Sequence, residues 1–174
     1  MFPRPPSPSK LYSKLPKLLA KPLTHVPFPA QRLAITKVLQ QVFKEALESD
    51  ECEFLRGRWL LVKINDLNLE WYFSLGEDGK ILLHPFGIED ATISGNLNEF
   101  ILLAARKEDP DTLFFQRRLL IEGDTELGLE VKNLIDALDI NELSKELRFL
   151  ISSAGEFVTI FSDTGFSDTG AALS

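Results

Sequence analysis

The chain has 174 residues, 44% of them apolar, a length and composition that suit one domain with a substantial hydrophobic core rather than two domains. Its net charge of −7 is unevenly distributed, because the first 44 residues hold eight of the 19 basic residues and no acidic one. A single cysteine excludes an internal disulfide or a multi-cysteine zinc site, and no apolar run reaches the roughly 18 to 20 residues of a membrane span. We therefore expect a cytoplasmic protein, in solution or peripherally bound to a membrane.

Residues 1–28 are predicted to form a basic, proline-rich arm. Eight of the ten prolines lie between Pro3 and Pro29, which excludes one continuous helix. Leucines and lysines nevertheless occupy separate faces of a short amphipathic segment. At an anionic membrane each lysine would contribute about 1 kcal/mol, and an arm that packs its leucines on its own domain is an equal alternative. The candidate membrane contacts are Lys10, Lys14, Lys17 and Lys21.

The first predicted helix begins at Pro29 and continues at helical apolar spacing to about Ser49, as a core helix or as the face of a homodimer. After Arg58 the period changes to two, which is typical of strands with one buried side. Asn65-Asp66 and the glycine-rich stretch 76–79 supply the turns of a three-stranded meander. The predicted strands are 59–64, 67–75 and 80–83.

The second half of the chain alternates capping residues with short apolar segments. Asn96 with Glu99 predicts a capped helix over 97–106, and Asp109 and Asp124 are placed to cap two further helices. The remaining predictions are strands at 91–94 and 119–121, a helix over 125–138 and a last helix capped by Asn141. Helices before and after a sheet indicate an α+β fold.

Gly128 lies one turn inside a predicted helix, where glycine costs about 1 kcal/mol relative to alanine. This position predicts close packing of the helix against a strand or a ligand.

The sequence contains no catalytic motif. His25 and His84 are more simply surface or turn residues than bases, and no G-x-S-x-G segment accompanies them. Acids such as Asp109 and Glu122 lie at helix starts, where they accept free backbone amides and complement the helix dipole. The acidic domain disfavours nucleic acid as a partner. We predict no catalytic residue, no metal and no cofactor.

Two segments resemble a known family. The ordered run over 109–127, followed by Lys132-Asn133-Leu134, and the upstream residues Phe54-Leu55, Gly57-Arg58-Trp59 and 66–71 are similar to the bacterial UbiT-type ubiquinone biosynthesis accessory factors. The residues of the longer run that carry the resemblance are Asp109, Pro110, Asp111, Phe114, Phe115, Arg117, Arg118, Glu122, Gly123, Asp124, Thr125, Glu126 and Leu127.

The resemblance implies a sterol-carrier-protein-like lipid-binding domain, in which a curved five-stranded sheet packs against helices around an apolar tunnel. It also implies a non-enzymatic role in oxygen-independent ubiquinone biosynthesis, holding polyprenyl quinone intermediates or phospholipid for quinone-ring hydroxylating proteins. The expected organisation is the arm over 1–28, the lipid-binding domain over 29–160 and a flexible tail over 161–174. A membrane-docked phospholipid-binding adaptor and a small lipid-acting enzyme using Asp109 or Glu122 are the alternatives.

Alternation and helical spacing suggest which side chains would contact the lipid. The candidate lipid-binding residues are Trp59, Leu61, Leu69, Trp71, Phe73, Leu103, Phe114, Phe115, Ile121, Val131, Leu134 and Leu138. Arg117 and Arg118 are candidates for a polar or anionic headgroup, with ordinary surface arginines as the alternative.

Overall fold

The computed structural model describes residues 25–163, so the four arm lysines and residues 164–174 of the predicted tail lie outside the described range. The described chain is α+β, as predicted. Its helices are α1 (Phe28–Val42), α2 (Lys44–Glu48), α3 (Leu97–Ala104), α4 (Pro110–Phe115), α5 (Thr125–Ala137) and α6 (Lys145–Asp163), with 3-10 turns at Glu53–Leu55 and Ile140–Glu142. Its strands are β1 (Leu60–Ile64), β2 (Leu69–Leu75), β3 (Ile81–His84), β4 (Ala91–Gly95) and β5 (Leu119–Gly123).

The five strands form one mixed sheet in the order β3-β2-β1-β4-β5. The predicted meander is confirmed, because β1 pairs antiparallel with β2 and β2 antiparallel with β3. β4 then lies parallel to β1, on the side away from β2, and β5 pairs antiparallel with β4. The connection between β3 and β4 therefore carries the chain across the sheet.

The strand register puts one set of apolar side chains on a common face. Leu60 is opposite Phe73, and Val62 is opposite both Trp71 and Ile93. Successive side chains of a strand point to opposite faces, so residues at every second position share a face. The apolar residues on this face form the main apolar cluster. The packing of α1 and α5 against this face sets the position of the candidate site.

The prediction of one helix to Ser49 was wrong, because the chain turns at Phe43 (φ −99°, ψ 18°) between α1 and α2. The turn lets Leu39 pack on the main sheet cluster while Ala46 packs in a second cluster with Cys52. A straight helix would place both residues on a single line of contact, so the tertiary packing explains the break.

The helix caps are partly as predicted. Asp109 and Asp124 accept backbone amides at 3.1 and 3.0 Å, which confirms both as N-caps. The capping box predicted at Asn96 and Glu99 was wrong: Asn96 precedes α3 but its side chain accepts no helical amide, and the carboxylate of Asp66 accepts the amide of Leu97 at 2.9 Å.

The prediction that Asn141 caps the last helix was wrong. Its amide donates to Asp139 inside a 3-10 turn, and the Leu147 amide of α6 donates to the Ser144 hydroxyl at 3.3 Å. The helix therefore begins three residues later than predicted, and it continues to Asp163.

The close packing predicted for Gly128 is confirmed, since a side chain at this buried position would overlap that of Ile121 in β5. Gly155 of α6 makes a similar approach to Ala105 at the end of α3. Both glycines let a helix lie closer to its neighbour than any larger residue would permit.

Candidate functional site

A cavity of about 360 Å³ lies between the inner face of the sheet and the helices α1 and α5. This volume is within the range of about 300 to 1,000 Å³ that is usual for ligand pockets. The sheet contributes Leu60, Val62, Ile64, Trp71, Phe73, Ser74, Leu75, Ile81 and Ile93. The other lining residues are Ile35, Leu39, Phe43, Cys52, Leu55, Phe100, Leu103, Val131, Leu134 and Ile135.

Among the described residues, the lining contains no charged side chain, and its polar groups already have partners. The Ser74 hydroxyl donates to the Leu55 carbonyl at 3.0 Å, and the Trp71 indole N–H donates to the Gln31 side-chain oxygen at 3.0 Å. Because an unpaired polar group in such a wall would be costly, the cavity suits a hydrocarbon chain much better than a polar molecule.

Cys52 contributes the chain's sole thiol to the cavity wall. Burial is the largest cause that raises the pKa of this thiol to about 11, and the neighbouring carboxylates of Glu51 and Glu53 add to the effect. A thiol with so high a pKa is protonated and weakly nucleophilic at neutral pH. The group therefore acts as a small apolar side chain in the wall.

Helix α1 covers the cavity without being deeply packed. None of its 15 residues is buried, although Ile35, Leu39 and the following Phe43 reach the cavity from above the sheet. Gln31 connects the helix to the sheet through Trp71 and also donates to the Val26 carbonyl at 2.8 Å. The covering helix is thus held by partly buried apolar contacts and by this polar chain.

The structure brings five of the twelve sequence-predicted residues together around the cavity, namely Trp71, Phe73, Leu103, Val131 and Leu134. Leu138 lines a second cavity beside it. Leu69 belongs to the main apolar cluster, and Phe114 and Ile121 pack against that cluster without lining the cavity.

Three predicted residues lie elsewhere. Leu61 is buried on the face of β1 opposite to the cavity-lining Leu60, Trp59 packs its ring 4.9 Å from that of His84, and the Phe115 side chain is 90% exposed. Strand alternation reports two faces but does not say which one faces the cavity. The lipid-binding role of all twelve residues stays a prediction.

The sequence prediction missed the contribution of α1 and of the 3-10 turn at Glu53–Leu55. Ile35, Leu39, Phe43, Cys52 and Leu55 all line the cavity. The helical periodicity of residues 33–47 was the available signal, because it indicated an apolar face. It did not indicate that this face packs against β3 and reaches Trp71 of β2, since those contacts join residues far apart in the chain.

The two candidate headgroup arginines lie in different environments, and neither lines the cavity. Arg118 donates to Glu99 at 2.8 Å and forms a second ion pair with Glu108, so two carboxylates already surround its guanidinium. Arg117 has an exposed side chain and a positive φ of 58°. Their role at a headgroup stays a prediction.

The acids considered for catalysis have structural contacts. Asp109 caps α4, and its neighbour Asp111 forms an ion pair with Lys132 of α5. The prediction that Glu122 lies at a helix start was wrong, because this residue lies inside strand β5 and is exposed. Within residues 25–163, no group of three His, Cys, Asp or Glu side chains is arranged to hold a metal ion, and no helix is long and apolar enough to cross a membrane.

Comparison with known proteins gives consistent matches. Residues 35–136 match the model of the SCP-2 sterol transfer family. The ubiquinone biosynthesis accessory factor UbiT of Escherichia coli (strain K12) is 44% identical over 143 residues, which cover 82% of this chain and 82% of that protein. The protein of the same name from Escherichia coli O157:H7 matches equally well.

A solved structure described as the UbiJ-SCP2 ubiquinone synthesis protein is similar in fold. It superposes with a TM-score of 0.52 at 18% identity, covering 63% of this chain and 97% of that chain. At this identity the likeness shows a shared fold, which is the sterol-carrier-like arrangement of an open sheet and helices.

Proposed function

This chain belongs to the SCP-2 sterol transfer family and to the UbiT-type ubiquinone biosynthesis accessory factors, and from this premise we propose that its cavity holds the isoprenoid tail of a polyprenyl quinone intermediate. The observation that carries the proposal is the cavity of about 360 Å³ with an apolar wall, between the sheet and α1. The quinone ring would stay at the mouth of the cavity, where modifying enzymes can reach it, because the described residues of the wall offer no free polar group to bind it.

The energetics favour exchange between a bilayer and such a cavity. Apolar surface removed from water is worth roughly 25 cal/mol per Å² in either environment, so moving a tail from one to the other is nearly neutral. A carrier with this property can load and release a lipid that is almost insoluble in water. The aromatic residues Trp71 and Phe73 provide a large part of the contact on the sheet side.

The proposed role is non-catalytic and belongs to the oxygen-independent branch of ubiquinone biosynthesis. Its partners would be a peripheral membrane surface, from which the lipid is loaded on the cytoplasmic side, and the quinone-ring hydroxylating proteins that receive it. The raised pKa of Cys52 and the capping role of Asp109 support a site that binds a lipid without reacting with it.

A phospholipid is the second candidate ligand. The uniformly apolar wall supports it, because no side chain in the wall distinguishes an isoprenoid tail from an acyl chain. In that case the protein would be a membrane-docked phospholipid-binding adaptor.

Native mass spectrometry of the gently purified full-length protein, followed by identification of any bound lipid, separates the candidates. A bound quinone precursor supports the proposal, and phospholipid alone supports the adaptor. A protein that carries no lipid and takes up none from vesicles would contradict both.

Cys52 provides an independent measurement, because its thiol is the sole one in the chain and lines the cavity. Alkylation of this protonated thiol by a maleimide is slow at neutral pH, and an apolar ligand in the cavity should slow it further. The control is a Cys52→Ser protein with cysteine in place of the exposed Thr112, whose alkylation should not depend on the ligand. Equal protection at both positions would mean that the lipid acts elsewhere than in the cavity.

A further inference from the structure

A second cavity, also of about 360 Å³, lies on the other side of the first cavity's helical wall. It is enclosed by α1, α3, the end of α5 and α6. Val42 lines it from α1, Ala104 from α3, and Leu147 and Ile151 from α6. Among the described side chains, the charged ones that line it are Arg106 and Asp139, and both residues follow the end of a helix.

The two cavities share one layer of side chains. Leu39, Phe43, Phe100, Leu103 and Ile135 line both of them. Each of these five residues is apolar, so the path from one cavity to the other crosses no polar barrier. All except Leu103 are also partly exposed, and partly exposed side chains change rotamer readily.

Hydrogen bonds from one arginine hold together two of the helices that enclose the second cavity. The Arg106 guanidinium donates to the carbonyl oxygens of Ile135, Asp136 and Leu138 at 2.7, 2.8 and 2.5 Å. These bonds satisfy carbonyls that the end of α5 leaves free and hold that end against α3. The Arg106 guanidinium is therefore occupied by these backbone carbonyls and is not available to bind a ligand.

We propose that the second cavity is the far part of the binding site and takes the distal end of the same apolar chain that fills the first. This inference rests on the proposed function. The occupant is the ligand's own chain, because the second cavity adjoins the first through an apolar layer and has the same volume. Joining them would double the space for the tail. The residues of α1 and α6 that line the second cavity, away from the sheet, would then determine how long a ligand chain the protein accepts.

A matched pair of substitutions tests the proposal. Val42 lines the second cavity and not the first, Val62 lines the first and not the second, and both are half-buried. Val42→Phe and Val62→Phe therefore make the same change in size in the two cavities. The affinities of octanoic, dodecanoic and palmitic acids for the full-length protein are measured by displacement of a fluorescent fatty-acid probe.

Each buried methylene is worth roughly fourfold in affinity, so a displaced length of two methylenes costs about fifteenfold. Val62→Phe should weaken all three acids by similar factors. Val42→Phe should leave octanoic acid unchanged and weaken palmitic acid by about fifteenfold or more. Leu147→Phe in α6 is a second blocking variant, should Val42→Phe fail to fold, and it should give the same dependence on chain length.

Other outcomes overturn the inference. If Val62→Phe weakens every acid while both blocking variants bind palmitic acid as the natural protein does, the second cavity takes no ligand and the proposed function stands. If palmitic acid binds no more tightly than dodecanoic acid to the natural protein, the second cavity is filled by something else, such as residues 1–24. If no acid binds the natural protein, the proposed function fails as well.

Discussion

The two sides of the first cavity are built in different ways. On the sheet side, Leu60, Trp71 and Phe73 are less than 10% exposed and are held in register by strand pairing on both sides of β1. On the helical side, α1 contributes no buried residue. Stability within a protein follows the density of buried contacts, so the sheet is the fixed wall and α1 is the wall that opens most readily.

A leucine-to-alanine substitution should change the free energy of unfolding most, and by different amounts in the two walls. Leu60→Ala removes a buried side chain from β1 and should lower the free energy of unfolding by about 2 to 5 kcal/mol. Leu39→Ala in α1 removes a half-buried side chain and should cost roughly half as much or less. Urea unfolding of the two variants measures the difference. Equal losses would mean that α1 is packed as firmly as the sheet.

The next largest loss of stability is expected where Arg106 holds the end of α5 by hydrogen bonds, away from α1. Arg106→Ala removes three hydrogen bonds to the end of α5 and should cost about 1.5 to 3 kcal/mol in thermal or urea unfolding. Arg117→Ala is the matched control, because Arg117 also has a positive φ but its side chain is exposed. The control should change stability by less than about 0.5 kcal/mol. Similar losses would show that any Arg→Ala change at a positive φ lowers stability, and that the hydrogen bonds of Arg106 to α5 do not determine the result.

A pH effect tests the depth of burial next to the fixed wall. Burial raises the pKa of Cys52 to about 11, so the unfolded chain loses this proton at a lower pH than the folded protein does. The resulting stabilisation is complete below the unfolded pKa of about 8.5 to 9 and is lost as the pH rises through 11. Between these values the protein should lose roughly 1 to 2 kcal/mol more than a Cys52→Ala variant. Parallel stability curves for the two proteins would contradict the burial of the thiol.

The smallest effect tests the polar contact between the two walls. Trp71→Phe keeps an aromatic ring in the sheet but removes the donor to Gln31, at a cost of roughly 0.5 to 1.5 kcal/mol. Hydrogen exchange should accelerate in α1 more than in β1 and β2. The matched control Phe73→Leu alters a neighbouring side chain of the wall without adding a polar group or removing that donor. Acceleration spread evenly over sheet and helix would mean that the bond does not hold α1 in particular.

The sequence allowed good predictions wherever the controlling interaction is local. Asp109 and Asp124 cap helices whose amides lie three residues further on, and burial alternates along the first five residues of β2 as its sequence pattern predicts. Gly128 was informative because glycine inside a helix has a cost that close packing must explain. The same local reasoning failed at Asn141, where several neighbouring polar residues were able to start the helix.

The site itself depended on contacts between distant parts of the chain. Leu60 and Leu61 are adjacent and almost equally buried, yet only Leu60 lines the cavity. The sequence predicted that these two side chains point to opposite faces of the sheet. Which face lines the cavity is set by where α1 and α5 pack. The partners of Arg118 were hidden for the same reason, since Glu99 lies 19 residues away on another element.

The α+β class, the positions and approximate bounds of the strands along the chain, two helix caps and the family could all be predicted from the sequence alone. Each of these depends on residues close together in the chain or on a recognisable run of residues. The tertiary structure decided which apolar residues surround a cavity, that α1 is one of its walls, and that a second cavity adjoins it. The physical reason is that a cavity is the space left by elements that pack incompletely, and that space is a property of the whole arrangement and not of any one segment.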